Sequence, residues 1–190
     1  MGEKIERMKV LWTLQKENRI DLFFSDESGF QLVPNLPYGW QPKGEYIRML
    51  PRKGKNLSIF GLLSTDNRLI SYPTEQNTNA DFIIKCLDNF KTKIKKPTVI
   101  IMDNAPIHRA KKMMAKRKEW EKENLFIFFL PKYCPHLNRI ETLWRKVKYE
   151  WLKPKDYKSW RTFTKAVKNI LASFGSDSYN IKFSDPFYIS

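Results

Sequence analysis

Apolar positions recur along the chain in distinct patterns, and each pattern predicts a different element. Two runs are continuous: Thr98–Met102 (TVIIM) and Leu125–Leu130 (LFIFFL). Uninterrupted runs of that length predict buried strands, and Thr98–Met102 reads as a central strand covered on both faces. Asp21–Asp26 (DLFFSD) is a third short run and reads as another buried strand. Ser28-Gly29 punctuates it, so Gly29–Val33 is expected to return as a hairpin partner. Leu57–Leu63 and Arg68–Tyr72 predict two strands around a turn at Ser64–Asn67. Elsewhere the spacing is helical. Residues 3–18 place Ile5, Met8, Leu11, Trp12 and Gln15 on one side of a helix. Asn77 or Thr78 is expected to cap a helix reaching Thr92, with Phe82, Ile83, Cys86, Leu87 and Phe90 inward. A basic helix is expected from Pro106 to Lys122, and further helices over Asn138–Lys153 and Trp160–Ser173. Residues 34–56 hold Pro34, Pro37, Gly39, Pro42, Gly44, Pro51 and Gly54 and read as loop. The polar and aromatic tail, 175–190, predicts no particular element.

Read in order, this is an antiparallel strand set, then alternating helix and strand, then helices. That order predicts an α/β fold: a mixed sheet with helices on its faces. No internal repeat or linker interrupts it, and 190 residues suit one domain with its own core.

Composition narrows the function. Hydrophobic residues make up 42% and aromatics 14%, too many for a disordered chain. No apolar run approaches the roughly 18 residues of a membrane span, so no membrane partner is expected. The first residues, MGEKIERMKV, carry charge where a signal peptide needs an apolar stretch, which points to the cytoplasm. Two cysteines do not make a disulfide framework there. Lys and Arg number 35 against 20 Asp and Glu, a net charge of +15. The excess falls in three blocks, residues 43–55, 91–125 and 139–168, with net charges of +4, +7 and +7. The stretch 21–42 has three acids and no base. A single Lys-rich run is usually a solvated face; three in one small domain point to a polyanion, nucleic acid above all.

Three acids stand out against that background. Asp26 closes the first strand run, Asp103 closes the central one (TVIIMDNAPIH), and Glu141 opens a helix (PHLNRIETLW). Ligand sites in α/β sheets gather at strand C-terminal ends, and a carboxylate buried there needs compensation. Mg²⁺ or Mn²⁺ prefers such hard oxygen ligands. Taken singly, each acid also has a plain structural role open to it. Asp103 or Asn104 could cap the next helix ahead of Pro106. Asn138 and Glu141 have capping-box spacing, and Asp26 could belong to a turn. On the Glu141 helix, Ile140, Leu143, Trp144, Val147 and Trp151 share one face, with Glu141 at its edge and Arg145 and Lys148 one and two turns onward. A zinc site is a poor reading, because Cys86, Cys134, His108 and His136 lack ligand spacing. A Cys-His hydrolase built on Cys134 and His108 has no local signature.

Four blocks in the same order, FFSDESGF, YGWQPKG, VIIMDNAPIHRAK and LPKYCPHLNRIETLWRKVK, resemble the catalytic domain of bacterial insertion-sequence DDE transposases of the mariner superfamily. The resemblance runs from about residue 20 to 153. It implies a ribonuclease H-like fold, with three antiparallel strands followed by parallel ones, and an organisation of 1–19 as N-terminal helix or linker remnant, 20–174 as DDE catalytic domain and 175–190 as tail. Matched residue by residue, it places the catalytic and metal-binding triad on Asp26, Asp103 and Glu141. It implies two Mg²⁺ or Mn²⁺ ions at the scissile phosphate and a site that cleaves DNA and joins strands without a covalent protein intermediate. Glu27, Asn104 and His108 fall in matched blocks and are expected to support the site, Glu27 from the opposite face of its strand. Trp40, Lys43, Lys132, Arg145 and Lys148 are the expected DNA contacts. The implied partners are double-stranded DNA of element ends and target, and a second copy of the chain, in a prokaryotic cytoplasm at the nucleoid. Two departures stand beside the resemblance. Arg139 occupies the place of the family's Pro before the Ile-Glu pair and forgoes its pre-set first turn. The family's helix-turn-helix modules have no counterpart ahead of Asp26, so end recognition is expected from a separate helix-turn-helix polypeptide. A nuclease of the same fold without strand transfer, and an inactive basic DNA-binding remnant, remain the alternatives.

Overall fold

The computed structural model describes residues 2–32, 54–131, 134, 137–185 and 187. Its strands are β1 (Asp21–Gln31), β2 (Asn56–Ser64), β3 (Leu69–Thr74), β4 (Thr98–Met102) and β5 (Leu125–Phe129). They form one sheet in the order β3-β2-β1-β4-β5. The pairs β1–β2 and β2–β3 are antiparallel, and β4 and β5 extend the sheet in parallel from β1. Helices α1 (Gly2–Lys16), α4 (Arg139–Lys146) and α5 (Trp160–Ala172) cover one face. Helices α2 (Ala80–Lys91) and α3 (Lys111–Lys122) cover the other. The expected mixed sheet flanked by helices is therefore present.

Alternation along β1 divides the core. Leu22, Phe24 and Phe30 join the α1/α4/α5 side, while Phe23 joins the α2/α3 side. All five residues of β4 are buried, as an apolar run covered on both faces requires. Three turns use asparagine in the left-handed region, Asn18, Asn67 and Asn124, with φ of 59°, 62° and 63°; its short side chain tolerates that conformation.

Four local expectations are corrected. β1 runs straight through Ser28-Gly29, and its antiparallel partner is β2 rather than Gly29–Val33. Gly29 serves close approach, not a turn: a Cβ there would lie 2.9 Å from Oδ1 of Asn56. The cap of α2 is Asn79, whose side chain accepts the Phe82 N–H at 2.9 Å, because the helix starts only at the buried Ala80. The basic segment after β4 is two pieces, a 3₁₀ turn Pro106–Arg109 and then α3, separated at Ala110, whose ψ of 144° is not helical. The helix expected over Asn138–Lys153 also changes form, since α4 passes into a π-helical turn over Val147–Trp151, and a 3₁₀ turn follows over Pro154–Lys158. Beyond α5, Ile181 is buried and Tyr179, Phe183 and Phe187 pack on the α1/α4/α5 core. No helix among the described residues is long and apolar enough to cross a membrane.

Candidate active site

The register of the two central parallel strands sets the first pair of acids. Phe24 of β1 lies beside Ile101 of β4. The ladder closes there, and Asp103 follows Met102, the last residue of β4, near enough for its charge to act on Asp26. The buried Ser25 hydroxyl ties the strands together by donating to the Ile101 carbonyl at 3.0 Å. Asp26 lies inside β1, opposite Gly61 of β2, so it is not a turn residue.

Gly61 also seats the helix that carries the third acid. A Cβ at Gly61 would lie 2.7 Å from Cζ2 of Trp144 and 2.8 Å from Cδ1 of Ile140. Helix α4 can therefore press onto the sheet where β1 presents Asp26, and Glu141 follows Ile140 on that helix. Asn138, just ahead of α4, is buried and makes no side-chain cap. Its amide donates instead to the Ser25 carbonyl at 3.1 Å, pinning the helix start to β1. The capping-box alternative for Asn138 and Glu141 is not formed. Arg139 is the first residue of α4 and is buried. Its guanidinium lies 4.3 Å from the Trp12 ring centroid and 5.1 Å from that of Phe183, and it donates to the Ser184 carbonyl at 2.7 Å. Burial pushes its pKa down to about 10, with Asp185 opposing.

The electrostatics follow from this placement. The Asp26 carboxyl is pushed up from 3.8 to about 7, by burial first, then by Glu27 beside it, with Asp103 and Glu141 adding to the rise. Asp103 moves the other way. A hydrogen bond from His108 holds it below its ordinary value, helped by the Ala105 backbone N–H. Both bonds fall on one oxygen: Oδ1 accepts from Ala105 N–H at 2.8 Å and meets His108 Nδ1 at 2.7 Å. The second ring nitrogen, Nε2, meets Oε1 of Glu27 at 2.8 Å. Burial pulls the His108 pKa down, but its bonds to Asp103 and Glu27 outweigh that and push it up to about 10.

The expected site residues thus separate into groups. Asp26, Asp103 and Glu141 share one electrostatic field, and Glu27, His108 and Asp103 form one hydrogen-bonded chain. Asn104 donates through its side chain to the Leu130 carbonyl and braces the end of β5. Lys148 is half-buried, its ammonium 5.2 Å from the Phe30 ring centroid. Burial lowers its pKa while Asp26 opposes, so it stands near the acids. Arg145 is exposed on α4. Trp40, Lys43 and Lys132 lie outside the described residues. Two residues escaped sequence reasoning, Asn138 as a tie to β1 and Arg139 as a buried anchor. Both sit at a helix start, where a polar residue reads first as a cap or a surface group.

Among the described residues, no three His, Cys, Asp or Glu side chains are grouped so as to hold a metal ion. The chemistry of the donor set nonetheless fits a hard divalent cation. Asp26, Asp103 and Glu141 offer carboxylate oxygens, and a cation would compensate both the burial that chiefly raises the Asp26 carboxyl and the neighbouring negative charge that adds to it.

A family model described as DDE superfamily endonuclease matches residues 21–164. The "Insertion element IS630 uncharacterized 39 kDa protein" of Shigella sonnei is 26% identical over 129 residues, covering 65% of this chain and 36% of that protein. In fold, the chain is similar to the protein of the Mos1 strand transfer complex, with a TM-score of 0.61 and 18% identity over 94% of this chain and 55% of that one. It is also similar to the protein of the mariner Mos1 paired end complex with Mg, with a TM-score of 0.59 and 17% identity over 93% and 55% of the two chains. The chain therefore spans about a third of the length of the first relative and about half of the others. The likeness bears out the expected ribonuclease H-like class.

Proposed function

The chain belongs to the DDE superfamily endonucleases, and from that premise we propose that it is the catalytic part of a DNA transposase. Its reaction is cleavage of DNA phosphodiester bonds at element ends, followed by transfer of the freed 3′-hydroxyl to target DNA. Asp26, Asp103 and Glu141 are its catalytic acids. The observation that carries this reading is geometric: Asp26 stands inside β1 opposite Gly61, where α4 packs and Asn138 ties the start of that helix to the Ser25 carbonyl, so Glu141 comes to the same place as Asp26. Burial first, then the charges of Glu27, Asp103 and Glu141, hold the Asp26 carboxyl high there.

Asp26, Asp103 and Glu141 would hold Mg²⁺ or Mn²⁺, as two ions. When bound, the metal supplies Lewis-acid activation of the attacking water or 3′-hydroxyl and of the leaving oxygen. The chain's own residues do the remaining work. Asn138, Ser25 and Gly61 keep α4 against β1, so Glu141 stays with Asp26. Lys148 and the exposed Arg145 offer cations to a phosphate backbone along the same helix, and the basic blocks at 91–125 and 139–168 extend that surface. Trp40, Lys43 and Lys132 belong to the same proposed DNA contact. Double-stranded DNA of element ends and target is the substrate, in the cytoplasm at the nucleoid. A second copy of the chain handles the paired end, and a helix-turn-helix polypeptide supplies end recognition.

The test is cleavage of a DNA duplex carrying the element end. The wild-type chain, with any end-recognition polypeptide added, is expected to cleave only with Mg²⁺ or Mn²⁺. Asp103→Asn is expected to abolish cleavage and to bind DNA at least as well. Cleavage undiminished by that substitution would refute the triad. Strand transfer from precut ends then tells transposition from simple hydrolysis: cleavage without transfer would reduce the proposal to a nuclease.

A further inference from the structure

Glu27 is adjacent to Asp26 yet works on the other face of β1. Successive side chains of a strand point to opposite faces, and β1 is continuous through both residues. Asp26 faces α4, whereas Glu27 faces the turn that follows β4. There it meets a histidine that is shut away from solvent, with a side-chain exposure of 0%. The imidazole lies between two carboxylates: Glu27 Oε1 at 2.8 Å from Nε2 and Asp103 Oδ1 at 2.7 Å from Nδ1. The backbone holds the ring's base. Pro106 opens the 3₁₀ turn, and the His108 N–H donates to the Ala105 carbonyl at 3.0 Å. Asp103 is otherwise half-exposed, with 48% of its side chain open, and among the described residues its side chain is restrained by the bonds on Oδ1. A carboxylate at a strand end with that much freedom is a poor ligand unless something fixes its plane.

We propose that Glu27 and His108 are positioning residues, Glu27 anchoring the imidazole and the imidazole fixing the Asp103 carboxylate for a divalent cation. This rests on the triad reading above. Glu27 is then not a ligand despite its place beside Asp26, because it leaves β1 on the opposite face and its Oε1 is engaged by His108. The same link joins the strand that bears the first acid to the residue that orients the second, so displacement of either strand end is felt by both.

The experiment is Mn²⁺ titration of the full metal-free chain, followed by the electron paramagnetic resonance signal of the free ion, with a thermal melt of every variant. Asp103→Asn is expected to lose most of the affinity. Glu27→Ala is expected to lose about 10-fold, the low end for removing a group that orients a ligand. Glu27→Gln should restore most of it, because the amide oxygen still accepts from Nε2. His108→Asn keeps a donor near the place of Nδ1 and gives up the reach to Glu27. In that background Glu27→Ala should change affinity by less than 2-fold, the signature of two residues acting in series. His108→Asn also replaces His108→Ala should the latter fail to fold. Wild-type affinity in Glu27→Ala, with Asp103→Asn impaired, overturns the positioning role and leaves the triad standing. Equal losses in Glu27→Gln and Glu27→Ala, or a full loss for Glu27→Ala in the His108→Asn background, make Glu27 a direct ligand and overturn it too. Unchanged affinity in Asp103→Asn overturns the triad reading and this one with it.

Discussion

Asp26→Asn should make the metal-free chain more stable at pH 8 than the wild type, although it removes a residue assigned to catalysis. The carboxyl is displaced from 3.8 to about 7 in the folded chain. Folding therefore tightens its hold on a proton. Below pH 3.8 both folded and unfolded chains are protonated there, and the group costs nothing. Between 3.8 and about 7 the unfolded chain releases the proton while the folded chain keeps it, so stability falls with rising pH. Above 7 the full cost applies. Its ceiling is about 4 kcal/mol, and relaxation and water at a half-buried site bring the expected value to about 2–3 kcal/mol. Asparagine carries no charge at any pH and escapes the cost. At about 2–4 °C per kcal/mol for a chain of this size, the variant should melt roughly 4–12 °C above wild type at pH 8. The gap should shrink by pH 4. His108 has its own window: its stabilising charge is fully present below 6.5 and is lost as pH rises through about 10. Both proteins contain it, so it cancels in the difference. Scanning calorimetry at pH 4, 6 and 8 without divalent ions measures the gap, and saturating Mg²⁺ should narrow it by stabilising the wild type. A variant that melts at or below wild type at pH 8 would refute the claim that the metal-free fold holds the Asp26 charge at a cost, set by burial first and by the neighbouring acids second.

Two further outcomes follow from the packing and charge of α4. Gly61→Ala should destabilise the fold by about 1–3 kcal/mol in urea denaturation, because its Cβ would meet Trp144 and Ile140 at 2.7 and 2.8 Å; the entropic gain of alanine, about 0.4–1 kcal/mol, does not offset that, and a net stabilisation would show that α4 is not seated there. Arg145→Ala should leave the melting temperature unchanged, since the residue is exposed, and should lower the slope of log K against log salt for duplex DNA by about one; an unchanged slope would take Arg145 out of the DNA contact.

Legibility from sequence depended on whether a signal was local. β4 was readable because an apolar run buried on both faces has few other readings; β5 was readable from a similar run, although it is an edge strand that leaves Phe126 exposed. The three proposed acids stood out because each borders an apolar run, but cap and turn roles fitted each one singly, and only the matched blocks joined them into a proposed triad. The turn expected at Ser28-Gly29 failed for a physical reason: glycine marks close approach as readily as it marks a turn, and the contact with Asn56 lies across the sheet. The Glu27–His108 bond spans 81 residues, so no spacing could announce it; alternation told only that Glu27 faces away from Asp26. The break at Ala110 and the π-helical turn after α4 were hidden because each keeps a nearly helical hydrophobic spacing while changing the hydrogen-bond pattern.

Arg139 carries the widest consequence for the site. Proline at the start of a helix fixes its first turn through the ring's own φ. Arginine has no such restraint, yet here it is buried, stacked on Trp12 of α1 and beside Phe183, with a hydrogen bond to Ser184. Burying a guanidinium is expensive unless aromatic faces and carbonyls replace its water, and these contacts do so. Local backbone stiffness has thus been exchanged for tertiary contacts that converge on the residue two positions before Glu141. Together with Asn138 on the Ser25 carbonyl and Ile140 and Trp144 on Gly61, they hold the start of α4 from three directions. It follows that α1 and the segment after α5, though remote in sequence from Glu141, are part of what places it. Loosening either should act on the site before it acts on the sheet.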